Sequence, residues 1–209
     1  MPRKLCESCG RPLNVCLCDD LVSLKAPCEV AILQHPSELK QPLATVPILK
    51  LCLQPLHILV GEDFSENTEL TELLSKHKNV CVLYPHDDAQ EWTLDADLQQ
   101  QEPSAKDVDL IVVIDGTWRK AKRIWLSNPF LQTLSCVKLT GGPEGQYQVR
   151  STTVEGGIST LEAVAQACNY LSGSQQFNEL YVPFKAMIDM QIKKMGPEIF
   201  KAHYEKSND

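Results

Sequence analysis

Short apolar runs alternate with amphipathic segments along most of this chain. Five runs of five or six residues predict buried strands, at residues 29–34, 56–60, 80–84, 110–114 and 134–139. Helical patterns are found at residues 45–53, 65–78, 117–126, 161–171 and 178–194. Strands that are buried on both faces have continuous apolar sequences, so the pattern predicts an α/β fold with a mainly parallel sheet flanked by helices. Residues 92–106 are mostly polar and are expected to be irregular and exposed.

Two of the predicted helices begin at side chains suited to capping. Thr117 follows the most apolar strand and an Asp-Gly pair, and it can cap the helix at residues 117–126. Ser159 and Thr160 can cap the helix at residues 161–171, with Glu162 in its first turn.

Four cysteines lie close to the N-terminus, as Cys6-x-x-Cys9 and Cys16-x-Cys18, with Gly10 in a turn between the pairs. Zn²⁺ takes four thiolates tetrahedrally, and two close pairs can converge on one ion. The sequence therefore predicts a closed, structural zinc site, so that any catalytic chemistry lies elsewhere. The alternative is a frayed terminus with reduced thiols or a disulfide.

The length of 209 residues is enough for one sizeable core. We expect a four-cysteine knuckle at residues 1–27 and an α/β domain at residues 28–209. No apolar run has membrane-spanning length, no signal peptide is recognisable, and nine cysteines is an odd count that argues against a disulfide framework. These features predict a cytoplasmic protein with no membrane contact, in which the remaining five cysteines are small core residues.

The net charge of −7 argues against binding of nucleic acid through bulk electrostatics. The basic residues are unevenly spread, however, and one cluster consists of Arg119, Lys120, Lys122 and Arg123. Such a cluster is usually a solvated helix face. An acidic protein with a local basic face can still bind RNA.

Polar groups follow the predicted strands, and in open α/β sheets ligands bind beyond the carboxyl ends of the strands. These groups are His35-Pro36-x-Glu38, Tyr84-Pro85 with Asp88, Asp115-Gly116-Thr117-Trp118, and the glycine-rich loop after Leu139. Each has a structural interpretation when taken singly: His35 as a hydrogen-bonded histidine, Asp115 as a cap and Trp118 as a core residue.

Together these groups resemble the DTW-domain family, whose signature is similar to Asp115-Gly116-Thr117-Trp118 followed by Ala121. Further motifs occur in the family's order: Cys6-x-x-Cys9-x-Arg11-Pro12 with Cys16-x-Cys18, His35-Pro36-x-Glu38, Tyr84-Pro85 with Asp88-Ala89, Tyr147-x-x-Arg150, and Ser159-Thr160-x-Glu162-Ala163. The resemblance spans almost the whole chain, from Cys6 to about Met190.

The resemblance implies a tRNA-uridine aminocarboxypropyltransferase. Such an enzyme moves the 3-amino-3-carboxypropyl group of S-adenosylmethionine onto N3 of a uridine in tRNA and releases methylthioadenosine. The resemblance also implies a SPOUT-like fold with a C-terminal trefoil knot that cradles the cofactor.

For that reaction, Asp115 is predicted to be the general base that removes the N3 proton, and Glu38 and His35 are the other catalytic candidates. Trp118 or Tyr84 is predicted to stack on the extruded base. The basic cluster, Arg119, Lys120, Lys122 and Arg123, is predicted to hold phosphates.

The cofactor is predicted to lie against the ends of the third, fourth and fifth strands and the start of the helix at residues 161–171. Arg150 is predicted to pair with its carboxylate as a two-pronged donor. The full set of predicted cofactor-binding residues is Tyr84, Pro85, Gly116, Thr117, Leu139, Gly141, Arg150, Ile158, Ser159, Thr160 and Glu162.

Two other functions fit the same residues. An S-adenosylmethionine-dependent RNA methyltransferase would use the same cofactor with a different carbon facing the substrate. A non-catalytic RNA-binding module would use the cysteine knuckle, with Asp115 and the His35-Pro36-x-Glu38 group purely structural. The sequence leaves the choice of tRNA, the choice of uridine and the oligomeric state open.

Overall fold

A computed structural model describes residues 4–94, 107–141 and 158–196. Its centre is one sheet of six strands, in which every neighbouring pair is parallel. The order across the sheet is β2-β1-β5-β3-β6-β4, so that β5 lies between β1 and β3 and β6 lies between β3 and β4. The strands are β1 (Leu24–Gln34), β2 (Leu53–Val60), β3 (Val80–Leu83), β4 (Gln90–Thr93), β5 (Leu110–Asp115) and β6 (Ser135–Thr140).

In the described residues, five α-helices cover the two faces of this sheet. They are α1 (Val46–Cys52), α2 (Thr68–Lys76), α3 (Trp118–Ser127), α4 (Thr160–Ser172) and α5 (Tyr181–Met195). One apolar cluster joins the sheet to α1, α4 and α5, and a second joins it to α2 and α3. We call these two surfaces the α4 face and the α3 face. Within the described ranges, no helix is long and apolar enough to cross a membrane.

The alternation of side chains along β5 decides which face each strand-end residue serves. Ile111 and Val113 belong to the cluster on the α4 face, whereas Leu110 and Val112 belong to the cluster on the α3 face. Asp115, which is two residues beyond Val113, therefore continues the α4 face.

The predicted α/β architecture is confirmed, with strand and helix ends that shift by a few residues. One expectation is wrong: residues 92–106 are not irregular and exposed throughout, because Trp92 lies in β4 and is only 1% exposed. Its ring stacks on Tyr170 of α4 with centroids 4.9 Å apart. β4 is a short edge strand with this single buried side chain, so its sequence has no apolar run to reveal it.

The helix caps are confirmed at α4 but differ at α3. The Ser159 hydroxyl accepts from the Glu162 backbone N–H (3.3 Å), and the Glu162 carboxylate accepts from the Ser159 N–H (2.7 Å), which together form a capping box. Thr117 occupies the cap position of α3, but its side chain makes no capping hydrogen bond.

The N-terminal cysteine segment packs against the main core. Leu17 is fully buried in the cluster on the α4 face. Arg11 donates from Nε to the Val15 carbonyl (2.9 Å) and reaches Sδ of Met187 in α5 from Nη1 (3.6 Å). The division between a knuckle at residues 1–27 and a domain at residues 28–209 stays a prediction.

Asn128 joins the end of α3 to the loop between β2 and α2. It is fully buried, and its Oδ1 accepts from the Phe64 N–H at 2.6 Å. Its Nδ2 donates to the carbonyl oxygens of Glu62 (2.8 Å) and Ile124 (2.7 Å). One side chain therefore pairs with three backbone groups, two of them through fully buried hydrogen bonds.

Replacing Asn128 by Ala should lower the free energy of unfolding by about 3 kcal/mol, because three backbone groups, two of them in buried hydrogen bonds, lose this partner at once. Urea unfolding followed by circular dichroism measures the change. Ser127→Ala is the matched control at the neighbouring exposed position, and it should stay within about 0.5 kcal/mol of the parent. Equal stability of the two variants would contradict the assignment.

Candidate active site and metal centre

Asp115 lies at the carboxyl end of β5 and is 6% exposed. Its Oδ2 accepts from Nε2 of Gln34 at the end of β1 (2.8 Å). Its Oδ1 accepts from the hydroxyl of Thr160 in the first turn of α4 (2.5 Å). Both donors are neutral, and no Lys, Arg or His of the described residues pairs with this carboxylate. Asp115 is thus oriented by two elements without a counter-ion from either.

His35 directly follows β1 and has both ring nitrogens engaged. Nδ1 accepts from the Ser37 backbone N–H (3.2 Å), because that group can only donate. Nε2 therefore carries the proton and donates to Oε1 of Glu62 (2.8 Å). In this tautomer His35 has no free lone pair with which to remove a proton from a substrate.

Glu38 is also occupied, by an ion pair with α3. Its carboxylate is buried and accepts from Nζ of Lys120 at 2.8 Å. Gly116 makes room for this arrangement, because a Cβ at that position would lie 3.0 Å from Cβ of Lys120 and 3.6 Å from Cβ of His35. The glycine of the Asp-Gly-Thr-Trp sequence therefore lets α3 begin close against the loop after β1.

A cavity of about 620 Å³ opens on the α3 face of this strand-end region. It is lined by His35, Ser37, Glu62, Arg119, Lys120 and Arg123. Nε of Arg123 lies 2.7 Å from Oε2 of Glu62, so Arg123 and Lys120 are both paired with carboxylates. Arg119 and Lys122 make no ion pair within the described part of the chain, which leaves them as the cations available to an external anion.

Sequence reasoning missed Glu62 and Gln34. Glu62 comes two residues after β2, and Gln34 is the last residue of β1, so both satisfy the rule that ligand sites lie at the carboxyl ends of strands. The position of Gln34 at the end of a predicted strand is a usable signal, but the apolar run at residues 29–34 hides it.

The predicted aromatic residues lie in different surroundings. Trp118, at the start of α3, is 39% exposed and is free to stack on a partner. Tyr84 instead stacks on Trp125 of α3, with centroids 4.6 Å apart and rings inclined by 16°. Burial raises the pKa of Tyr84, and the nearby Cys136 adds to this effect. One face of the Tyr84 ring is thus already covered by protein.

The predicted cofactor-binding residues fall into three groups. Leu139 and Gly141 mark the end of β6, where a left-handed Gly141 (φ 70°) turns the chain. Ile158, Ser159, Thr160 and Glu162 lie at the start of α4, and Tyr84, Pro85, Gly116 and Thr117 lie after β3 and β5. Arg150 and Tyr147 lie outside the described residues.

The four N-terminal cysteines converge. All four Sγ atoms lie within 4.8 Å of one another, with 3.5 Å between Cys6 and Cys18 and 3.7 Å between Cys9 and Cys16. A zinc tetrathiolate with bonds of about 2.3 Å has sulfur–sulfur edges of about 3.8 Å, so the spacing suits one tetrahedral ion. A left-handed Gly10 (φ 69°) lets its N–H donate to the Cys6 carbonyl (2.9 Å). The residues present therefore fit a metal ion.

Hydrogen bonds among the four thiols and to the backbone shift their pKa values in opposite directions. The backbone N–H groups of Cys9 and Ser8 lower the pKa of Cys6 to about 6. The side chains of Cys16 and Cys6 raise the pKa of Cys18 to about 12. Metal ligands must be thiolates, so a cation at the centre is what allows all four to be deprotonated together.

The sequence of this chain is similar to one protein family and to several known proteins. The sequence model of the DTW domain matches residues 3–192. The chain is 33% identical over 201 residues to tRNA-uridine aminocarboxypropyltransferase 2 of Macaca fascicularis, covering 91% of this chain and 64% of that protein. It is 34% identical over 197 residues to the protein of the same name from Drosophila melanogaster, covering 91% of this chain and 76% of that protein. The chain thus spans less than two thirds of the macaque relative's length.

A more distant relative is tRNA-uridine aminocarboxypropyltransferase A of Arabidopsis thaliana, 24% identical over 229 residues, covering 93% of this chain and 83% of that protein. No solved structure matches the chain.

Protein purified without added metal should contain about one equivalent of zinc per chain, because the four sulfurs already have tetrahedral spacing. Elemental analysis measures the content. Cys9→Ser should lose the metal, whereas Cys136→Ser, at a cysteine outside the cluster, should keep it. A metal-free protein whose four N-terminal thiols react freely with a thiol reagent while folded would contradict the site.

Proposed function

The chain belongs to the DTW domain family, and we propose that it is a tRNA-uridine aminocarboxypropyltransferase. The observation that carries the proposal is the Asp-Gly-Thr-Trp sequence at the carboxyl end of β5, where Asp115 is buried, oriented and without a counter-ion among the described residues. The relatives named above, with identities of 33% and 34% over 91% of this chain, bear the name of that activity. S-adenosylmethionine is the proposed donor of the 3-amino-3-carboxypropyl group.

The proposed reaction forms one bond and breaks another. Uridine N3 loses its proton and bonds to the methylene carbon next to the sulfonium, and the carbon–sulfur bond breaks with its electron pair staying on sulfur. The products are 3-(3-amino-3-carboxypropyl)uridine in tRNA, methylthioadenosine and a proton. Positioning decides which carbon of the sulfonium reacts, since only a carbon aligned with N3 is attacked.

Asp115 is the proposed general base. Each carboxylate oxygen accepts one hydrogen bond from the protein, so each keeps a lone pair for the proton of N3. Glu38 is less suited because its carboxylate is buried against Lys120. His35 is less suited because its two nitrogens are bonded to Ser37 and Glu62. We assign Glu38 to holding the loop after β1 against α3, and His35 to joining that loop to the loop after β2.

The exposed side of α3 is the proposed RNA surface. Arg119 and Lys122 are its cations without an ion pair to any residue that the structure describes, and Trp118 offers a partly exposed ring for stacking. Lys120 and Arg123 would contribute positive potential while remaining paired with Glu38 and Glu62. The RNA would lie on the α3 face, and the uridine would reach over the carboxyl edge of the sheet to Asp115.

The proposed cofactor site lies between the end of β6 and the start of α4, where backbone groups after Leu139 and around Ser159 would cradle the adenosine. Arg150 is proposed to pair with the carboxylate of the donor. We further propose a SPOUT-like fold with a knot. It is supported by the insertion of β5 and β6 between earlier strands, an order that brings late segments through the middle of the sheet.

We also propose that the four-cysteine cluster holds a structural zinc and that the protein is cytoplasmic. The thiolate geometry supports the first proposal. Nine free cysteines support the second, since thiols stay reduced in that compartment.

Mass spectrometry of nucleosides from tRNA incubated with the protein and S-adenosylmethionine tests the function. A uridine heavier by an aminocarboxypropyl group is expected, together with methylthioadenosine. A uridine heavier by a methyl group would identify a methyltransferase instead. Absence of both products, with no binding of the cofactor, would identify a non-catalytic RNA-binding module.

Asp115→Asn should fold, bind the cofactor and lose about a hundredfold or more in the single-turnover rate, the usual contribution of a general base. Asn keeps the size of the side chain and can still accept from Thr160. Asp109→Asn is a matched control at the opposite end of β5, where the carboxylate accepts only from backbone N–H groups. It should transfer at the parent rate. Near-parental transfer by folded Asp115→Asn would remove Asp115 from the mechanism.

Charge reversal at Arg119 or Lys122 should weaken tRNA binding and reduce the slope of log affinity against log salt by roughly one unit per lost phosphate contact. Filter binding over a range of salt concentrations measures the slope. Lys50→Glu is the control, because it makes the same charge change on α1, across the sheet. Cofactor binding should be unchanged in all three variants. An unchanged slope in Arg119→Glu and Lys122→Glu would place the RNA on another surface.

A further inference from the structure

Gln34 and Asp115 are partners in the parallel register of β1 and β5. Paired residues of neighbouring parallel strands point to the same face, so the two side chains lie side by side on the α4 face. The Gln34 side chain is almost completely buried, at 2% exposure, and its Nε2 donates to Oδ2 of Asp115 at 2.8 Å.

The bond is not needed to align the two strands. Backbone pairing already runs in register from Glu29 to Gln34 along β1, and the His35 N–H donates to the Asp115 carbonyl just beyond it (2.9 Å). A buried amide at this point therefore serves something other than strand pairing. What it touches is the carboxylate that ends β5.

The chemistry of the donors is suited to a base. Gln34 and Thr160 each donate from a neutral group, one to each oxygen of the carboxylate. Two such bonds fix the plane of the carboxylate without the charge compensation that a Lys or Arg partner would bring. The two bonds orient the carboxylate, and among the described residues no cation is paired with it.

We propose that Gln34 is a positioning residue that acts through Asp115, holding its carboxylate in the orientation that receives the uridine N3 proton. This inference rests on the proposed function. In this proposal Gln34 contacts neither the uridine nor S-adenosylmethionine. Its removal changes the rate through the orientation of the Asp115 carboxylate.

Gln34→Met keeps the length of the side chain and removes the donor. We expect the single-turnover rate of transfer to fall about tenfold to a hundredfold, in line with loss of one hydrogen bond to a charged group. The affinities for S-adenosylmethionine and tRNA should change less than twofold, because neither partner is contacted. Gln166→Met is the matched control, since Gln166 is a similarly buried glutamine in α4 with no hydrogen bond to Asp115 among those described. It should transfer at the parent rate.

The decisive measurement is the double-mutant cycle with Asp115→Asn. If Gln34 acts through Asp115, adding Gln34→Met to Asp115→Asn causes no further loss of rate. Equal losses in the two backgrounds, or a loss of affinity with an unchanged rate, would overturn the proposal. Gln34→Leu is a second variant that is uncharged and has no donor, and it keeps the cycle measurable if Gln34→Met does not fold.

The failure of this inference is distinguishable from failure of the proposed function. Transfer by the parent chain combined with additive effects would overturn the role of Gln34 alone. No transfer of an aminocarboxypropyl group by the parent chain would overturn the proposed function and the positioning role together.

Discussion

The parallel pairing of β1 with β5 is the constraint on which the site depends. It sets Gln34 opposite Asp115 at the carboxyl edge, and the alternation of side chains then fixes which groups share a face. Asp115 and Gln34 continue the α4 face, where the first turn of α4 supplies Thr160. His35, one residue further along, turns to the α3 face and meets Glu62. A shift of one residue in the register would exchange these two sets.

Ion pairs reduce the basic surface that the cluster on α3 presents, in a chain whose net charge is −7. Lys120 and Arg123 form ion pairs with Glu38 and Glu62, and these pairs hold the loops after β1 and β2 against α3. Of the four clustered cations, Arg119 and Lys122 make no ion pair with the described residues and are available to an external partner. Two of the four cations are therefore available to a polyanion. The other two, through their ion pairs, fix the position of the helix that carries all four.

The elements that sequence reasoning found are those whose signal is local. Continuous apolar runs predicted the central strands, and Ser159 with Glu162 predicted the start of α4. β4 was missed because its one buried residue, Trp92, gains its partner Tyr170 from a distant helix. The catalytic role of Asp115 could be proposed from its position alone, but its partners could not, since Gln34 and Thr160 meet it through register and helix packing. The aromatic assignments show the same limit, because only the fold reveals that Tyr84 is stacked on Trp125 whereas Trp118 is exposed.

The two faces of the carboxyl edge have different roles in the proposed reaction. Cations on the α3 face suit a polyanion, which binds along an extended positive surface rather than in a deep pocket. The α4 face offers the opposite conditions at Asp115: burial, two neutral donors and the start of a helix. If the phosphates of a nucleotide bind on α3, its uracil ring, which carries N3, would extend across the carboxyl edge of the sheet. Asp115 is held by Gln34 and Thr160, whereas the ion pairs of α3 are made with Glu38 and Glu62, so orientation of the proposed general base and binding of the polyanion depend on different side chains.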